Sequence, residues 1–116
     1  MRVFKTKDFA RFARQEKIDD AALCEAIARA ERGLIDAQLG GGLIKQRLPR
    51  KGQGRSSGFR TIISYRKGNL AFFVYGFAKN ERDNIADDEL AAIKATGRML
   101  MSQRPEMLEA ALDASK

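Results

Sequence analysis

The spacing of apolar residues changes period midway along the chain, and that change divides it into helical and extended halves. Residues 2–6 suit a short first strand. From Asp8 onward, Phe9, Phe12 and Ala13 recur at helical spacing, with Arg11, Arg14 and Gln15 on the other side. Asp19 or Asp20 suits the N-cap of a second helix, whose stripe is Leu23, Ile27, Ala30 and Leu34. Gly33 weakens that helix, and Gly40-Gly41-Gly42 ends regular structure. The two helices are expected to pair as a hairpin.

Beyond the glycines the period shortens. Leu43–Leu48 reads as a strand, and residues 49–57 as a cation-rich loop. Residues 58–66 alternate: Phe59, Thr61, Ile63 and Tyr65 on one side, Arg60, Ile62, Ser64 and Arg66 on the other. Lys67-Gly68-Asn69 marks a hairpin turn, and Leu70–Ala78 is apolar enough for a central strand buried on both faces. Asp87, Asp88 and Glu89 open a third helix with the stripe Leu90, Ile93, Gly97, Leu100 and Met101. Pro105 then breaks the chain before a short final helix at Met107, Leu108, Ala111 and Leu112. The expected fold is α+β: an antiparallel sheet of three to four strands with an N-terminal helical hairpin and C-terminal helices. Residues 1–116 form one domain, with 102–116 as a helical tail.

Composition adds little except in charge. A hydrophobic fraction of 44% with 32% charged residues fits a globular domain and excludes disorder. No apolar run reaches bilayer length and no secretory leader is evident, so the expected compartment is the cytoplasm. The single cysteine, Cys24, is read as helix packing. The chain has no histidine, which removes the usual general acid–base and the commonest metal ligand. Neither a metal nor another cofactor is expected.

The formal net charge is +7, and its distribution matters more than its size. Lys45, Arg47, Arg50, Lys51, Arg55, Arg60, Arg66, Lys67 and Lys79 all fall in residues 45–79, which contain no Asp or Glu. Such a patch implies a polyanionic partner, RNA or DNA phosphate. If the three strands are neighbours, Arg47, Lys51, Arg55, Arg60 and Lys79 converge on one sheet edge. Preorganised cations there would stabilise a phosphorane-like transition state. Charge alone supports nucleic-acid binding without catalysis, and composition by itself favours a binding module over an enzyme. Tyr65, among cations, is a candidate for base stacking, although its alternation places it with Phe59 and Ile63. Tyr75 reads as a core aromatic with a satisfied hydroxyl.

Two blocks are more specific than this chemistry. They are Lys51-Gly52-Gln53-Gly54-Arg55-Ser56-Ser57-Gly58-Phe59-Arg60 and Phe77-Ala78-Lys79-Asn80-Glu81-Arg82. Together with Lys45 and Arg47 they resemble the RelE/HigB toxins of bacterial type II toxin–antitoxin systems, over residues 4–101. The resemblance implies a microbial-ribonuclease-like sheet, and an endoribonuclease that cuts mRNA on the ribosome without a metal and so inhibits translation. It implies a cognate antitoxin, often one with a DNA-binding helix-turn-helix. By position it assigns Arg60, Lys79, Lys51 and Arg55 to catalysis and matches Arg47 to the basic residue that closes the second strand; Arg47, Lys45, Arg50, Arg66 and Tyr65 are the RNA-binding candidates, the last four on their place in the basic segment. The chain departs from the pattern in having no tyrosine after Tyr75 and in its longer tail. A gyrase-inhibiting toxin of the ParE kind and a non-catalytic RNA-binding domain are the alternatives.

Overall fold

The computed structural model describes residues 1–49, 58–78 and 86–101, without the side chains of residues 100 and 101. Its elements are β1 (Arg2–Lys5), α1 (Lys7–Gln15), α2 (Asp20–Glu31), β2 (Ala37–Gly40), β3 (Leu43–Leu48), β4 (Phe59–Arg66), β5 (Leu70–Ala78) and α3 (Asp87–Met101). All but Pro49 of the expected loop at 49–57, Lys79 and the helical tail at 102–116 lie outside the described residues.

Both N-terminal helices begin at side-chain caps. The Thr6 hydroxyl accepts from Phe9 N–H at 3.1 Å, and Asp19, rather than Asp20, accepts from Ala22 N–H at 2.9 Å. Each cap satisfies a donor that the first helical turn leaves unpaired. Leu23, Ala26, Ile27 and Ala30 turn inward from α2. Cys24, expected at a packing position, is exposed, because it is one helical step round from Leu23. Leu34 also leaves the expected stripe and is 57% exposed. The helix stops at Glu31, and Gly33, at φ 85°, turns the chain away.

The sheet corrects the expected count and direction. It has five strands, ordered β1-β5-β4-β3-β2. β1 runs parallel to β5, pairing Phe4 with Phe72, while the other neighbours are antiparallel. β2 was not anticipated: Ala-Gln-Leu-Gly has no β-branched residue, and its pairing to β3 comes from the glycine turn that follows it. The core has two halves. Phe9, Ala13, Leu23, Ile27, Ile44, Leu48, Phe59, Ile63 and Phe73 lie between the sheet and α1/α2. Leu43, Ile62, Leu70, Phe72, Val74 and Ile93 lie between the other face and α3. β5 is therefore covered on both faces, as its composition implied.

One irregularity decides what each face carries. Ile62 pairs with Tyr75 but Ile63 pairs with Phe73, so Val74 is an extra residue in β5. Val74 and Tyr75 thus both face α3. Without this bulge, strict alternation would send Tyr75 to the α1 face.

Candidate nucleic-acid interface

β3 and β4 set the central geometry. Arg47 lies directly opposite Arg60, and Arg60 lies opposite Phe77 on β5. These three form one row across the α3-facing side of the sheet. The next row is Lys45, Ile62 and Tyr75. Facing positions on paired strands have Cβ atoms about 4.5–5.5 Å apart, and diagonal neighbours remain within reach of long side chains. Two guanidinium groups thus start from adjacent positions. Like charges placed directly opposite destabilise an antiparallel pair. The sheet retains that cost at the point where the charge-rich segment crosses it.

Arg47 is held from three directions. Its backbone N–H donates to Asp36 Oδ2 at 2.6 Å, and its Nε lies 3.6 Å from the same carboxylate oxygen. Its carbonyl accepts from Arg29 Nη2 at 2.5 Å, and Arg29 Nε in turn donates to Glu25 at 3.0 Å. Asp36 is itself fixed by Gln46, which is wholly buried on the other face of β3. Gln46 Oε1 accepts from Asp36 N–H at 2.9 Å, and Nε2 donates to the carbonyls of Ala26 and Leu34 at 3.0 and 3.1 Å. The Arg47 side chain nevertheless stays 42% exposed and available to an anion. Arg60 is the more enclosed of the two, at 9% exposure, with Nη1 donating to the Phe59 carbonyl at 3.4 Å. A cation so desolvated acts on a bound anion through a lower effective dielectric than water.

Tyr75 and Phe77 stand beside this row, ring centroids 6.1 Å apart. The Tyr75 hydroxyl donates to Glu89 Oε2 at 3.4 Å, which brings a carboxylate from the first turn of α3 to the same face. The sequence reading of Tyr75 as a core aromatic with a satisfied hydroxyl fits its packing against the α3-side core and its bond to Glu89, whereas Glu89 was expected only in the first turn of the third helix and not at this face. No local signal marks either residue, because their meeting depends on the β5 bulge and the seat of α3. Asp36, Arg29 and Gln46 were missed for a similar reason: each acts across elements.

The remaining candidates separate. Lys45 shares the face of Arg47, two residues along β3. Arg66 also shares it, but six residues from Arg60 and at the other end of β4. Tyr65 is on the α1/α2 side and does not join the cations. Its hydroxyl donates to Glu31, which also accepts from Gly68 N–H at 3.0 Å. Burial, and then that bond, push the Tyr65 phenol up to about 12, while the same bond leads the lowering of the Glu31 carboxyl. Arg50, Lys51, Arg55 and Lys79 lie outside the described residues.

The site is thus a paired-arginine row on a small mixed sheet whose far face is covered by two helices. A family model described as the RelE toxin of the RelE/RelB toxin–antitoxin system matches residues 1–116. The chain belongs to the RelE toxin family. Among curated proteins, none matches it. As a RelE-family toxin it belongs to a toxin–antitoxin system and has an antitoxin as partner. No helix among the described residues is long and apolar enough to cross a membrane.

Proposed function

We propose that this RelE-family toxin is a metal-independent endoribonuclease of the HigB-like branch that cleaves mRNA on the ribosome in the cytoplasm. The observation that carries this reading is the direct pairing of Arg47 with Arg60 on one sheet face. Two cations fixed before substrate arrives can stabilise charge that grows on a phosphate as the 2′-oxygen attacks it, without reorganising at that moment. The 2′-oxygen–phosphorus bond forms as the bond to the 5′-oxygen breaks. Arg60 is the transition-state clamp and Arg47 the neighbouring phosphate contact, with Lys45 extending the track. Lys79, Lys51 and Arg55 complete the cationic set in this reading, and Arg50 continues it toward the loop. Arg cannot itself move a proton at neutral pH, so that task falls to Lys51, Lys79 or a carboxylate such as Glu89.

The test is a cell-free translation reaction on end-labelled mRNA with wild type, Arg60→Ala, and wild type without ribosomes. Cleavage in the translating wild-type reaction alone, reduced about 10²–10³-fold in the variant, is the expected result. Intact mRNA in every reaction would refute the nuclease reading.

A further inference from the structure

We infer that the end of the sheet remote from Arg47 and Arg60 carries a second phosphate pocket, formed by Arg66, Lys94 and Arg98 around the Gly40-Gly41-Gly42 turn. It takes a backbone phosphate of an RNA segment other than the one at the paired arginines. The inference rests on the proposed RNA substrate and adds a second point of contact to it.

A cavity of about 330 Å³ opens between the Gly41-Gly42 turn, Ser64, Arg66, Gly97 and Arg98. Lys94 borders it one helical turn before Arg98: a Cβ placed at Gly40 would lie 3.5 Å from Lys94 Nζ, and one at Gly41 3.8 Å from the lysine stem. Three cations therefore meet where β2 turns into β3 beneath α3. None of them forms an ion pair with a described residue, and no described residue lining the cavity is acidic. The carboxylate of Glu31 is committed on the opposite face to Tyr65 and Gly68. Arg47, by contrast, has Asp36. Cations clustered without a protein counter-ion raise the local positive potential and attract an anion.

The backbone keeps this place open. Gly40, Gly41 and Gly42 all have positive φ, at 83°, 62° and 79°, where an L side chain would be strained. The turn therefore passes beneath Lys94 with no side chain to fill the cavity. Gly97 lets α3 approach: a Cβ there would sit 3.3 Å from Leu43 Cδ2 and Ser64 Oγ. That close seat places Arg98 at the rim. Two guanidinium forks and an ammonium suit phosphate oxygens, which accept several hydrogen bonds at once. Arg66 is six residues from Arg60 on one strand, about 20 Å at ~3.3 Å per residue. A phosphate at one end is thus a separate contact from the phosphate at the other.

The experiment is equilibrium binding of a labelled RNA to the full chain across a potassium chloride series, with wild type, Lys94→Gln/Arg98→Gln, Arg60→Ala and the triple variant. The double variant should flatten the slope of log affinity against log salt by about 0.7–1, one phosphate contact, and weaken low-salt binding several-fold. The loss should add to that of Arg60→Ala, as expected of distant sites. Arg66→Gln alone, at an exposed strand end, gives the same direction of change independently of α3. An unchanged slope in both Arg66→Gln and the double variant, with urea midpoints near wild type, would overturn the pocket. So would loss of antitoxin binding with RNA binding intact, which would make the cluster a protein contact. Cleavage is not the readout, so a chain that binds RNA at this pocket but cuts none would refute the nuclease reading and leave the pocket standing.

Discussion

Replacing Gln46 with leucine should destabilise the protein by about 2–3 kcal/mol, a large share of a small domain's margin. The side chain is 0% exposed and makes three hydrogen bonds, to Asp36 N–H, the Ala26 carbonyl and the Leu34 carbonyl. Leucine has a similar volume, so little cavity forms. Ala26 lies inside α2, where its carbonyl keeps the helical acceptor bond. The loss therefore falls on Asp36 N–H and the Leu34 carbonyl. An unsatisfied buried group costs about 1–3 kcal/mol, and both groups are only part-buried, which puts each near the lower end. Urea unfolding followed by circular dichroism gives the number. With a slope of about 1–3 kcal/mol per molar, the midpoint should fall by about 0.7–3 M at unchanged slope. Gln46→Glu provides the chemical control. At neutral pH it turns a carboxylate toward two carbonyls and should cost at least as much; on acidification the protonated acid supplies one donor, and part of the stability returns. A Gln46→Leu protein within about 0.5 kcal/mol of wild type would refute the claim that this amide fixes Asp36 and, through it, Arg47.

Other outcomes follow from the same contacts. Glu31, lowered from 4.5 chiefly by its Tyr65 bond, contributes stability above its ordinary pKa that is lost as pH falls through the depressed value. Tyr65, raised from 10.0 to about 12, contributes stability below pH 10 that is lost as pH rises through that window. Unfolding free energy measured against pH should therefore fall at both ends, and Tyr65→Phe should remove the alkaline fall and shrink the acidic one; an unaltered profile would contradict the pairing. Glu89→Gln keeps an acceptor for Tyr75 but removes the carboxylate; if Glu89 handles the proton, ribosomal cleavage should drop about 10²-fold, whereas a full rate would leave Glu89 structural. Gly97→Ala gains about 1 kcal/mol of helix propensity but sets a methyl 3.3 Å from Leu43 Cδ2 and Ser64 Oγ, so the thermal midpoint should rise by less than the few degrees propensity alone would give; the full rise in calorimetry would show that α3 is not held so closely.

The sequence by itself determined the elements whose signal is local. The stripe Leu23, Ile27 and Ala30, a cap at Asp19 or Asp20, the alternation from Phe59 to Arg66 and the apolar run of β5 each reflect a periodicity or cap chemistry confined to a few neighbouring residues. The same is true of the charge concentration and of the blocks that resemble RelE toxins. Tertiary structure decided what lies beside what. The parallel edge strand β1, the short β2 and the exposure of Cys24 and Leu34 depend on pairing and helix ends that no single window reveals. The site shows this most directly. Arg47 and Arg60 are thirteen positions apart, and only the β3–β4 register makes them opposite. One extra residue at Val74 turns Tyr75 toward Arg60 and Glu89, because side-chain direction in a strand alternates with every residue and a single insertion reverses all that follow.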